Sequence, residues 1–268
     1  MCMTKLSISQ AWDETRAILA RDGKLIAAVA LAMFVLPGIV LNVAAPKMPV
    51  GQMPSPGRLA VALIVLLIAL VGQLSVVRLA LSPHIAVGEA IAHGARRLPS
   101  FLGAVLVWSV PLLAVGSVLY GLSNPQSANP SVAAALALLA LTALAVFVSV
   151  RLILLSAVAT AESGGPFVLL RRAWELSRGN WWRLFGFLAM LVIAALAAIW
   201  AVGAVVGVLA RLAFGDLTPL SIGGLIVVIV GQLLSAAISV ILLVMIARLY
   251  SQRVGMAGAQ ASVPSSGT

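Results

Sequence analysis

"VAAALALLALTALAVFVSVRLILLSAVATA", residues 132 to 161, contains a single charged side chain, Arg151. About 20 predominantly apolar residues carry a helix across the ~30 Å hydrocarbon core of a bilayer, so this stretch is long enough to span one. It also sets the tone of the chain. Of 268 residues 62% are apolar and only 9% are charged, and the mean hydropathy is +1.16. Soluble domains carry about 25% charged residues, which excludes a soluble fold. The apolar runs are continuous rather than alternating, which excludes a transmembrane barrel. The expected class is an all-α integral membrane protein.

Working outward, six spans can be marked, roughly Leu25–Leu41, Leu59–Leu81, Phe101–Tyr120, Val132–Ala161, Trp181–Leu212 and Leu220–Tyr250. Pro46, Pro49, Pro54 and Pro56 break the chain between the first two, and Asn-Pro at Asn124 and again at Asn129 breaks it between the third and fourth. Residues 1–254 read as a single membrane domain and 255–268, small and polar, as a disordered tail. With both termini inside, all Lys and Arg of the 17 except Lys47, Arg58 and Arg211 fall on the inner side, the bias expected of cytoplasmic loops. The net charge of +10 is accounted for in this way, and no nucleic-acid partner is expected. The early acids Asp13, Glu14 and Asp22 argue against a cleaved signal peptide. Cys2, the single cysteine, excludes an internal disulfide.

Before each odd-numbered span lies a segment that is neither loop nor span. The first, "SISQAWDETRAILARDGK" (residues 7–24), places Ile8, Trp12, Thr15 and Leu19 on one face, with Ser7 and Gln10 as a capping box and Gly23 as terminator. The second, "SPHIAVGEAIAHGARRLPS" (residues 82–100), opens with Ser82 and Pro83, and Pro99 is expected to begin the next span. The third opens "GPFVLLRRAWELSRGNWW" (residues 165–182): Phe167, Leu170 and Trp174 form an apolar face, Gly179 ends the helix and Asn180 caps the next. Each reads as an amphipathic helix in the inner interface, giving a threefold helix, span, span repeat. Trp12, Trp174, Trp181 and Trp182 are expected to anchor at that depth, where an indole satisfies both its apolar body and its polar N–H. Short echoes at "VVRLAL" (76–81), "SVRLIL" (149–154) and "IARLY" (246–250) fit the repeat.

Catalytic chemistry is hard to find. His84 and His93 are the only histidines, and Glu89 with His93 is more simply an exposed helix pair than half a metal site. No acid lies in the middle of a span, and neither a phosphate-binding Walker sequence nor a nucleophile elbow is present. The expectation is no enzyme, no metal and no cofactor. Arg151 stands out, because ten uncharged residues separate it from Glu162. An arginine in hydrocarbon costs at least ~2.5 kcal/mol unless it snorkels or finds a partner. Arg151, with Arg78 and Arg248 at equivalent span ends and Arg171, Arg172 and Arg178 in the third amphipathic segment, is the candidate set for binding a headgroup phosphate or carboxylate. Gly203 and Gly207, with Gly223, Gly224 and Gly231, are candidates for close helix packing. The fifth run is longer than a bilayer needs and must tilt, kink or protrude, with Trp181 and Trp200 marking its interfaces.

"ESGGP" (162–166) and "LRRAWELSRGNWWR" (170–183), with the preceding Arg151, resemble the bacterial six-span proteins related to the membrane domain of glycerophosphoryl diester phosphodiesterases. Glu162, Gly165, Pro166, Arg171, Arg172, Trp174, Ser177, Arg178, Gly179 and Trp182 occupy the pattern's places. The resemblance is specific over these residues and architectural elsewhere. It implies a multi-pass protein of the bacterial inner membrane. In such relatives hydrolysis belongs to a separate soluble domain with no counterpart in this chain, so that activity does not carry over. The resulting expectation is a non-catalytic membrane protein that binds or moves lipids or other amphiphiles through inner-face arginines. The alternatives are a scaffold or anchor that recruits a soluble partner enzyme or pairs with itself as a homo-oligomer, and a small-solute permease. The lack of mid-membrane ionisable groups disfavours the permease.

Overall fold

In the computed structural model, which describes residues 8–44, 55–82, 85–123, 131–178, 181–215, 218 and 221–261, every regular element is helical. In chain order they are α1 (Ile8–Ala30), a π-helical turn (Leu31–Val35), α2 (Leu36–Ala44), α3 (Pro56–Leu81), α4 (Val87–Ser123), α5 (Val132–Arg151), α6 (Leu155–Ala161), α7 (Pro166–Ser177), α8 (Trp181–Phe214) and α9 (Ile222–Ala261). Six of the resulting helical stretches are long and apolar enough to cross a membrane, matching the six expected spans.

Local signals account for several boundaries. Ser55 and Ser131 cap α3 and α5 by accepting the Arg58 and Ala134 amides, and Pro56 and Pro166 occupy first-turn positions where a missing N–H costs nothing. The π turn has a cause in Pro37. A proline ring collides with the carbonyl four residues earlier, and widening the helix moves that carbonyl aside. The Leu36 amide bonds the Leu31 carbonyl instead. The widened turn is matched by Gly72 on α3, where a Cβ would sit 2.6 Å from Met33 Cβ.

The contacts gather one end of each span at a common face. His93 on α4 donates from Nε2 to the Thr160 carbonyl of α6 at 2.9 Å, and Tyr250 on α9 reaches Glu162 at 3.0 Å. Arg248 bonds the Ala80 carbonyl, Arg253 the Arg178 carbonyl, and the Pro166 ring lies where a Cβ of Gly103 would be. The tightest core also lies toward this end, with Leu74, Val76 and Val77 of α3, Leu154 to Thr160, and Val244 and Met245 of α9 buried. The opposite halves of the helices present apolar side chains outward, as Leu113, Leu139, Val205 and Leu212 do. That pattern suits lipid as solvent, since a bilayer places no premium on hiding leucine.

Several expectations are corrected. The first amphipathic segment is not a separate helix: α1 runs unbroken through Gly23, which costs about 1 kcal/mol relative to alanine but does not stop a helix unless it turns left-handed. Among the described residues Gly215 is the glycine with positive φ, at 74°. The second segment is likewise continuous with its span, since α4 passes through Pro99 and Pro111. Neighbouring helices can re-satisfy the backbone groups a proline frees inside a bundle. Among the described residues only the third segment forms a helix of its own, α7. The fourth span covers Val132–Ala161 as expected, with an interruption after Arg151, where Ile153 and Leu155 bond back only three residues, to Val150 and Leu152. Beyond the break, α6 is buried from Leu155 to Thr160. The fifth span runs straight through Gly203 and Gly207, and a Cβ on Gly203, Gly207 or Gly231 meets nothing within 4 Å, so these three glycines do not mark a close helix contact. α9 remains helical to Ala261, past Gly255 where the tail was expected to lose structure. Ser7, Pro83, His84, Gly179 and Asn180 lie outside the described residues.

Candidate functional site

Arg151 is the last residue of α5, a position that favours positive charge because the helix dipole is negative there. One turn earlier on the same face is Phe147. The break after Arg151 turns the chain into α6, and α7 then returns Trp174 to the same place. The Arg151 guanidinium carbon lies 5.4 Å from the Phe147 ring centre and 5.1 Å from that of Trp174. Those two rings meet edge to face at 6.1 Å. Trp181, at the start of α8, closes on Phe147 at 5.3 Å, donates from Nε1 to the Phe147 carbonyl at 3.4 Å, and stacks on Phe185 at 5.0 Å.

This aromatic cage satisfies the faces of the guanidinium and leaves its N–H groups bare. Nε and Nη1 of Arg151 are buried without a hydrogen-bond partner among the described residues. A cation–π contact contributes up to about 2 kcal/mol when desolvated, whereas a buried donor left unsatisfied costs about 1–3 kcal/mol, more when it is charged. The rings therefore hold the arginine in place without discharging its need for an acceptor. An anion brought to those donors would form charge-assisted hydrogen bonds.

Beside the cage lies a second polar cluster with opposite character, because its charges are matched. Glu162 Oε1 accepts from Arg172 Nε at 3.1 Å and from the Tyr250 hydroxyl at 3.0 Å. Glu175 Oε2 stands 3.9 Å from Arg172 Nη1. The hydrogen bond that Arg172 donates to Glu162 is the main cause that raises the Arg172 pKa above its ordinary value, so this guanidinium stays charged and committed to that carboxylate.

The six candidate arginines thus separate. Arg171 pairs with Glu175 at 2.9 Å on an open surface, with 84% of its side chain exposed. Arg172 is engaged by Glu162. Arg178 is exposed and receives Arg253 on its carbonyl. Arg248 binds the Ala80 carbonyl, two residues beyond Arg78 on α3, and its buried Nε has no partner among the described residues. Arg78 lies in the last turn of α3. Trp174 and Trp181 line or support the cage. Trp182, 77% exposed, and Trp12 lie open to the surroundings. His93 is occupied by Thr160, and among the described residues no three His, Cys, Asp or Glu side chains are grouped to hold a metal.

Phe147 and Tyr250 were overlooked in the sequence. Phe147 was legible, being four residues before Arg151 on a helix; Tyr250 was not, since nothing local links it to Glu162. Compared with protein-family models, curated proteins and solved structures, the chain matches none.

Proposed function

We propose that this chain is a non-catalytic, multi-pass protein of the bacterial inner membrane, with both termini cytoplasmic, that binds lipid headgroups at Arg151. The observation that carries the reading is the pair of buried, unpartnered donors on a guanidinium caged by Phe147 and Trp174. A phosphate answers that need in a membrane, being anionic, rich in acceptors and present at the interface, the depth this reading assigns to the cage. The resemblance of residues 162–183 to the glycerophosphoryl diester phosphodiesterase membrane domain supports a lipid-related role, and the excess of Lys and Arg at the Arg151 end supports the orientation.

Native mass spectrometry of the purified chain and two variants tests the proposal. Arg151→Lys keeps the charge but has neither Nε–H nor the planar fork, so retained phospholipid falls; Arg151→Leu removes most of it. If Arg151 only snorkels, Lys serves equally well and Leu leaves the lipid count unchanged while raising stability. That second outcome refutes the headgroup site.

A further inference from the structure

Away from the Arg151 cage, α1 and α8 flank α9 and leave a lateral furrow between them. It consists of two adjoining clefts of about 610 and 470 Å³ that share Ile241 of α9. The floor runs along α9 from Met245 through Ala237 to Leu233. Phe187, Met190, Ala194 and Ala198 of α8 wall the larger cleft, with Trp12 of α1 at its end. Leu19, Gly23 and Ile26 of α1 wall the smaller. No charged side chain lines either one.

Length and charge together indicate what fills it. The twelve steps from Leu233 to Met245 rise about 18 Å along a helix, close to half of the ~30 Å hydrocarbon core. The furrow therefore has the reach of one leaflet, and its Met245 end lies one turn from Arg248, at the basic face. The helical walls carry the same polarity. On α8 the lining residues Phe187, Met190, Ala194 and Ala198 continue a stripe that begins at Arg183, four residues earlier. On α1 the stripe of Trp12, Leu19 and Gly23 includes Arg16 between the first two. Arg16 and Arg183 are exposed, and among the described residues neither is in an ion pair; Asp13, three residues before Arg16, does not bridge to it. We propose that this furrow is a binding site for an anionic phospholipid of the Arg-rich leaflet, its acyl chain lying along α9 and its phosphate held by Arg16 and Arg183. Arg151 takes no part, so the site goes beyond the headgroup reading above.

The full chain in vesicles of phosphatidylcholine doped with either phosphatidylglycerol or phosphatidylcholine brominated on the acyl chain provides the test. Bromine quenches nearby indoles, and the share due to Trp12 is the difference between the protein and its Trp12→Phe variant. Brominated phosphatidylglycerol quenches Trp12 at lower mole fraction than brominated phosphatidylcholine. Arg16→Gln and Arg183→Gln each reduce that preference about fivefold, and together about 25-fold. Both positions are exposed, so these variants fold. Ala198→Phe, which narrows the larger cleft, lowers Trp12 quenching by brominated phosphatidylglycerol toward that by brominated phosphatidylcholine. Arg151→Leu leaves all of this unchanged, so failure of the headgroup reading and failure of this one are distinguishable. Equal quenching by the two lipids, or a phosphatidylglycerol preference that survives Arg16→Gln with Arg183→Gln, overturns the proposal. So does a disulfide between two copies bearing Ala198→Cys with Trp12 left unquenched, which would make the furrow a dimer seat.

Discussion

Replacing Glu162 by Gln removes one negative charge from the cluster that ties α7 and α9 to the segment after α6. Two contacts change. The Tyr250 hydroxyl, on a residue only 6% exposed, loses an ionised acceptor and keeps at best a neutral one. Hydrogen bonds to charged groups contribute about 1.5–3 kcal/mol and neutral ones about 0.5–1.5, so this exchange costs about 1–1.5 kcal/mol. The Arg172 pair is more open, with side-chain exposures of 39% and 33%, and its loss adds about 0–1 kcal/mol. The expected total is about 1–2.5 kcal/mol. Tyr250→Phe, which deletes the first contact outright, should cost about 1.5–3 kcal/mol, and the double variant should fall short of the sum by about 1–1.5 kcal/mol because the charged part of that bond is lost in both single variants. Thermal unfolding in detergent measures this, at about 2–4 °C per kcal/mol for chains approaching this size. If both single variants melt with the parent, or if their effects add within about 0.3 kcal/mol, the cluster is not holding these helices together.

Other outcomes follow from the packing and the orientation. Gly94→Ala would place a Cβ 2.9 Å from both Ser75 Oγ and the Val71 carbonyl, and since backbone cannot move aside cheaply, it should lower stability by about 1–3 kcal/mol in the same melting assay. Gly203→Ala and Gly207→Ala meet open space and should be neutral or stabilise by up to about 1 kcal/mol each, provided no second copy packs there. A cysteine at Ser55, exposed at the first turn of α3, should react with an impermeant maleimide on intact cells. One at Ala92, exposed near the start of α4, should react only after permeabilisation; the reverse pattern would overturn the cytoplasmic placement of the basic face.

Membrane class and span count were legible because they rest on sums over many residues. Uncharged runs such as 132–150 leave no other home for the chain. Helix ends were less legible. Pro99 is a breaker in isolation, but neighbouring helices can re-satisfy the backbone it frees, and Gly23 ends a helix only where it turns left-handed; the sequence pattern contains no trace of either outcome. The break after Arg151 was invisible for the converse reason: Leu152 to Leu155 are ordinary helix formers, and the turn there allows α6 to bury itself against α3, α4 and α9. Arg151 itself was conspicuous as one charge in a long apolar run. Its cage was half legible, in the spacing from Phe147, and half not, since Trp174 arrives by way of the break. The partners of Arg172, Arg248 and Arg253 lie 10, 168 and 75 residues away, and no local periodicity encodes such pairs.

The central claim is that the bare donors of Arg151 meet a lipid phosphate, and the most direct measurement is an experimental structure of the chain in lipid nanodiscs. The account predicts a phosphate within the Phe147 and Trp174 cage, with an oxygen about 2.7–2.9 Å from Arg151 Nε or Nη1, the range of charge-assisted hydrogen bonds. A guanidinium that instead bonds a protein carboxylate or carbonyl, or that turns out of the cage into water with no phosphate nearby, would contradict it.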